Sequence, residues 1–148
     1  RKYYSAPALT TDVITGFPGE TEEDFRESLE FVRSIHFYET HIFKYSRRQG
    51  TKAAAMEGQL TEGVKAQRSD EFLALNEQRE SEYENAMVGK ELEILLEEEM
   101  EVDGRQYLIG HSREYVKTAV EKRGGLKVND LISAEGVKVL KNHILLAK

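Results

Sequence analysis

Residues 8–45 read as strand, helix, strand, and that order leaves few folds open. ALTTDVITGF (8–17) is rich in β-branched and apolar residues and stops at Pro18-Gly19, which marks a strand and its turn. Thr21 stands three residues before Asp24, an N-cap followed by the acid of a capping box. Phe25, Leu29, Val32 and Ile35 follow at spacings of 4, 3 and 3, one face of a helix. Glu22, Glu23 and Asp24 fill its first turn, where the helix dipole favours acids. The apolar run 41–45 is the second strand, so the βαβ order makes the two strands parallel. Parallel sheets are normally buried on both faces, and two strands are too few to stand alone. Further strands are therefore expected N-terminal to Ala8. The edge they leave is expected to be covered by a second copy of the chain or by another pairing.

Residues 46–60, with Gly50 and Gly58, read as a loop. Thr61 opens a long polar helix that runs to about Ala86, with a thin apolar stripe of Val64, Phe72, Leu75, Tyr83 and Ala86 and with Arg68 and Arg79 at the intervening turns. Gly89 marks a second boundary. Beyond it, short β-rich runs recur at 91–98, 105–111, 115–120, 130–139 and 143–147, punctuated by Asp103-Gly104, Gly124-Gly125, Gly136 and Asn142. Five short strands in about 60 residues suggest a small closed or nearly closed barrel. The chain thus divides into 1–60, a connecting helix at 61–86, and 87–148.

Composition narrows the function classes. The 148 residues are 39% hydrophobic and 32% charged, and no apolar run approaches the roughly 18 residues that span a bilayer. The first residues lack the layout of a secretion signal and there is no initiator Met, so a start inside a longer cytoplasmic protein is expected. There are no cysteines, which leaves no thiolate for a disulfide, a zinc site or an iron–sulfur cluster. The four histidines are scattered and make no metal-ligand pair at helical spacing. No catalytic motif of the nucleophile-elbow, P-loop or GxGxxG kind occurs.

The net charge of −6 hides a pattern. Residues 87–104 hold one basic residue against seven acids, whereas 105–127 hold six basic residues against Glu114 and Glu121. That local excess of four positive charges is either a phosphate-contacting face or ordinary solvated surface. Within it Arg105, Tyr107, His111, Arg113, Tyr115 and Lys117 interleave rings and cations, a mixture suited to single-stranded RNA. Tyr107 and Tyr115 are also readable as barrel core, Tyr115 more readily than Tyr107. In the first half, Gly16 and Gly19 flank a turn at the C-terminal end of a parallel strand, where α/β folds bind ligands. Asp12, set among apolar neighbours, is either a ligand group or a structural hydrogen-bonder. Phe43 and Tyr45 alternate with Lys44 and share a face that either stacks a planar ring or packs in a core. Arg47 and Arg48 follow at the strand's rim.

Three segments resemble one family. TTDVITGFPGETEEDFRESLEFV (10–32) is similar to the penultimate strand and following helix of the radical-SAM methylthiotransferase barrel. HIFKYSRRQGTKAA (41–54) is similar to its last strand and loop, and YLIGHSREYVKTAV (107–120) resembles the signature of the TRAM domain, the OB-like RNA-binding barrel that ends these enzymes. FKYSRRQGT and GHSREYVK look most like the branch acting on threonylcarbamoyladenosine in tRNA. The isopentenyladenosine-tRNA and ribosomal-protein branches fit less well.

The resemblance implies an α/β fragment, the last β/α units of a partial TIM barrel, followed by a small all-β TRAM barrel. It implies a parent that methylthiolates C2 of a modified adenosine beside the anticodon, using S-adenosylmethionine and two [4Fe–4S] clusters. Without cysteines this chain holds neither cluster, so it is expected to be inactive alone and to need the N-terminal part of the enzyme. Asp12, Val13, Gly16, Phe43 and Tyr45 would line one wall of the S-adenosylmethionine pocket. Arg105, Tyr107, His111, Arg113, Tyr115 and Lys117 would meet tRNA. Two other readings stand beside this one: a stand-alone RNA-binding module, and a purely structural α/β protein.

Overall fold

The computed structural model describes residues 2–4, 6–102, 104–140 and 142–148. Asp103, half of the turn expected at 103–104, lies outside them, as does Arg1. Two compact units emerge: Leu9–Arg79, and Arg1–Ala8 with Glu80–Lys148. The division falls within one helix.

In the first unit, β1 (Thr10–Thr15) and β2 (Glu39–Lys44) pair in parallel, with Asp12 opposite His41 and Ile14 opposite Phe43. Helix α1 (Glu22–Ile35) joins them. Its start is the expected capping box: Thr21 Oγ1 accepts from the Asp24 amide at 3.1 Å, and the Asp24 carboxylate accepts from the Thr21 amide at 2.9 Å. Hydrogen bonds from the Thr21 side chain and then its backbone hold the Asp24 carboxyl below the usual carboxylate range. The helix ends where His36 turns into the left-handed region. The loop expected at 46–60 contains one short helical turn, α2 (Lys52–Ala55), capped by Thr51. The long helix α3 (Glu62–Asn85) follows.

Phe25, Leu29 and Val32 from α1 pack with Phe72 and Leu75 from α3, and Val13 and Ile42 from the sheet join them. One face of the sheet is thereby covered. The other carries Asp12, Ile14, His41 and Phe43, all exposed. The outer edge of β1 has no strand partner among the described residues. A groove of about 500 Å³ lined by Thr11, Asp12, Val13, Glu27 and Phe31 lies between this edge and α1, on the helix-covered side.

The buried side of α3 is not the expected apolar stripe. Lys65, Arg68 and Ser69 are as buried there as Phe72 and Leu75, whereas Ala86 is exposed. Arg68 explains the exception. It donates to the Glu20 carbonyl at 3.0 Å, to the Glu20 carboxylate, and to Glu22 at 3.3 Å, so its charge is compensated inside the fold.

The second unit is a closed barrel of five strands in the order β3-β4-β5-β7-β6. These are β3 (Glu91–Val102), β4 (Arg105–Ser112), β5 (Lys117–Glu121), β6 (Leu131–Leu140) and β7 (Ile144–Ala147). Closure removes exposed edges, the chief hazard of small sheets. Leu92, Ile94, Leu96, Leu108, Val116 and Leu145 fill the interior. A smaller cluster of Tyr107, Ile109, Ala119 and Ile144 forms separately, so β4 is buried on both faces.

Strand β3 slips its register between Leu96 and Glu98, a β-bulge that leaves Glu97 without a partner on β4. At this point the backbones nearly touch: a Cβ on Gly110 would lie 1.7 Å from the Leu95 carbonyl oxygen. Only glycine fits there.

The last turns of α3 belong to this unit. The Tyr83 hydroxyl donates to the Ala6 carbonyl at 2.8 Å, and burial, then the nearby Glu114 charge, pushes it up to about 12. Glu84, with 1% of its side chain exposed, meets His143 Nδ1 at 3.0 Å. No helix among the described residues is long and apolar enough to cross a membrane.

Candidate functional site

Two surfaces collect the residues singled out above. The first is the helix-free face of the β1–β2 sheet. Asp12 and Phe43 both stand on it, Phe43 with 53% of its surface exposed. Asp12 is therefore not the enclosed carboxylate its apolar neighbours suggest, because it alternates to the open side of the strand. Val13 points the other way and packs with the α1–α3 cluster, so only its backbone could serve a ligand on the open face.

Tyr45 lies just past β2 and is half-buried. Its ring meets Phe17 edge-on at 5.3 Å, and Lys65 Nζ lies 5.3 Å from its centroid. Its hydroxyl is buried with no hydrogen-bond partner among the described residues. Gly16 sits in the left-handed region, and a Cβ there would come within 2.4 Å of Lys65 Cγ. The Gly16 amide donates to the Glu20 carboxylate at 2.9 Å, the same carboxylate that Arg68 holds. Glu20, Lys65 and Arg68 thus shape this turn. Sequence reading placed Arg68 on α3 without its partner and gave Lys65 no part, because both reach the turn from more than 40 residues away.

The second surface is the outer face of the barrel around the β4–β5 hairpin. Residues 113–115 connect the strands: the Tyr115 amide donates to the Ser112 carbonyl at 2.9 Å, and the Ser112 amide to the Val116 carbonyl at 3.0 Å. Tyr115 closes this three-residue connection at φ 62°. Its ring is 61% exposed and stacks on His111, with centroids 5.1 Å apart and planes 23° apart. His111 Nδ1 lies 2.7 Å from the carboxylate of Glu97, the bulge residue. Arg113 and Lys117 flank the pair.

Two expected RNA contacts do not join this group. Tyr107 is buried at 5% exposure among Ile109, Ala119 and Ile144. Arg105 lies at the far end of β4, six residues from His111, or about 20 Å along an extended strand.

The basic stretch is also less bare than its sequence suggests. Arg113 faces Glu93 at 3.8 Å, Lys117 faces Glu98 at 3.6 Å, Lys122 faces Glu99 at 2.7 Å, and Arg105 and Arg123 both face Glu121. The acidic run on β3 and the basic run after it are neighbours across the ladder. Exposed pairs of this kind are worth about 0–1 kcal/mol, so phosphates can displace the carboxylates. Among the described residues, no group of three or more His, Cys, Asp or Glu side chains could hold a metal ion.

No family model matches the chain. Individual relatives are close. The threonylcarbamoyladenosine tRNA methylthiotransferase of Bacillus subtilis is 43% identical over 111 residues, covering 74% of this chain and 25% of that protein. The tRNA-2-methylthio-N(6)-dimethylallyladenosine synthase of Thermobifida fusca is 38% identical over 143 residues, covering 93% of this chain and 29% of that protein. The synthase of the same name from Rhodococcus jostii is 47% identical over 89 residues, covering 60% of this chain and 18% of that protein. The chain therefore spans less than a third of the length of these relatives. Identity of this order over most of its residues places the chain in the radical-SAM tRNA methylthiotransferase family.

Proposed function

We propose that the chain is the C-terminal part of an enzyme that methylthiolates C2 of N6-threonylcarbamoyladenosine beside the anticodon of tRNA. Its place is a cytoplasmic protein. In this reading residues 1–60 end a radical-SAM barrel, 61–86 form a connecting helix, and 87–148 are a TRAM domain that binds tRNA. The relatives include both threonylcarbamoyladenosine and dimethylallyladenosine enzymes. FKYSRRQGT and GHSREYVK favour the first.

The observation that carries the RNA part is the gathering of His111, Arg113, Tyr115 and Lys117 at one hairpin, with Arg113 and Tyr115 largely exposed. The one-sided covering of the β1–β2 sheet supports the barrel part, since a barrel segment carries helices on its outer face and ligand groups at the C-terminal ends of its strands. Asp12, Gly16, Phe43 and Tyr45 suit one wall of an S-adenosylmethionine pocket, and the unpartnered Tyr45 hydroxyl is a group such a ligand could satisfy. No residue of this chain suits an iron–sulfur cluster, because the sequence has no cysteine. Cluster ligation thus belongs to other parts of the enzyme, and this chain alone should be inactive.

The test is tRNA binding by the chain at low and moderate salt, beside the Arg113→Ala/Lys117→Ala variant. Loss of two phosphate contacts should weaken binding and reduce the salt slope by about two. Unchanged binding would remove the RNA assignment.

A further inference from the structure

The barrel's outer face carries a row of four paired residues across four strands. Leu131 on β6 pairs with Leu95 on β3, Leu95 with His111 on β4, and His111 with Lys117 on β5. Paired residues share a face. Leu131 is 62% exposed and Leu95 43%, so with the Tyr115–His111 stack they form an apolar and aromatic strip in water.

Two departures from regular geometry converge on this strip. Tyr115 occupies the left-handed region, which costs a non-glycine residue about 1–2 kcal/mol. Gly or Asn is the usual occupant of that place in a three-residue connection. The tyrosine gains no core packing in return, since its ring belongs to none of the apolar clusters. The second departure is the bulge at Glu97, which sets its carboxylate on His111 Nδ1. An acceptor at Nδ1 fixes the imidazole plane, and with it the surface on which Tyr115 lies.

We propose that this strip is a platform for unpaired bases of single-stranded RNA. One base stacks on the open face of Tyr115, the next lies over Leu95 and Leu131, and Glu97 is the positioning residue that orients the platform through His111. Strands are about 4.8 Å apart, so the span from His111 to Leu131 is about 10 Å, room for two splayed bases. Arg113 and Lys117 at one end would hold the connecting phosphates. A platform of exposed rings disfavours duplex RNA, whose bases are not free to stack on a protein ring. This inference rests on the proposal that the barrel binds RNA and narrows it to a strand class and a binding mode.

The experiment measures binding of the chain to three RNAs: an anticodon-type stem–loop, its loop as a single strand, and its stem as a duplex. Variants are Tyr115→Asn, which suits the left-handed backbone, Tyr115→Phe, Glu97→Gln and Arg113→Ala/Lys117→Ala. Tyr115→Asn should keep the melting temperature and weaken loop binding roughly 5- to 150-fold, the range that base–aromatic stacking spans, with an unchanged salt slope. Tyr115→Phe should bind normally. Glu97→Gln should weaken the loop complex by a smaller factor and leave duplex binding alone. If Tyr115→Asn binds within twofold of wild type, or the duplex binds as well as the loop, the platform is wrong. If the double cation variant still weakens binding in that case, RNA binding by the barrel survives. If no variant changes binding, both readings fall.

Discussion

Single residues show where one-dimensional reading succeeds. Thr21 and Asp24 were legible as a capping box because every contact in it is local. Tyr107 and Tyr115 were not separable, since both lie in a β-rich run with cations nearby. Burial of β4 on both faces decides for Tyr107, and the turn conformation decides for Tyr115. Asp12 illustrates the same limit, because alternation fixes which neighbours share its face but not which face the helices cover. Glu84 was not singled out at all. Burial raises its pKa, with His143 opposing and Glu80 adding to the rise. A raised carboxyl stabilises the fold fully below its unfolded value of 4.5, and that contribution is lost as pH rises through the folded value. Glu84→Gln should therefore melt like wild type near pH 4 and melt higher than wild type at pH 7. Thermal unfolding at the two values checks this, and a variant that melts lower at pH 7 would show the ionised pair with His143 to be stabilising.

At the scale of elements, order was readable, but some lengths and the reasons for burial were not: the strand expected at 91–98 runs on to Val102, and the one expected at 8–17 covers only Thr10–Thr15. Helix α3 is found within a residue of its expected ends, yet four of its six buried residues, Lys65, Arg68, Ser69 and Glu84, are charged or polar. Beside Phe72 and Leu75, which pack on α1, a second hold adds to the thin apolar stripe. It is the hold of Arg68 on residues 20 and 22, visible only once the chain has folded. Breaking a buried pair on one side leaves the other charge uncompensated. Arg68→Ala should cost the Leu9–Arg79 unit about 3–5 kcal/mol in denaturant unfolding. Amide exchange at Gly16, Phe17, Gly19 and Glu20 should rise with it, because Glu20 loses its partner and the turn its anchor. In the barrel, the strands were legible from their β-rich runs and turns, but the bulge at Glu97 was not. Nothing in three successive glutamates says which one the ladder will leave out.

For the whole molecule, the sequence exposed a β/α piece and a small barrel because each keeps its own periodicity. The piece shows one covered face and one unpartnered edge among the described residues. An edge of that kind recruits a partner. Light scattering of the isolated chain should show association that grows with concentration, and under the proposed function an added N-terminal part of that enzyme should suppress it. A particle of constant monomer mass across a hundredfold dilution would argue that the edge is self-protected. On the barrel, the carboxylates of β3 sit beside the cations that follow them, and the consequence is kinetic. A face whose charges are locally balanced projects little field beyond a few ångströms, so under the proposed function it would not draw RNA in from a distance. Encounter should then run at the unsteered rate of about 10⁵–10⁶ M⁻¹s⁻¹, and discrimination among RNAs should appear in how long each one stays.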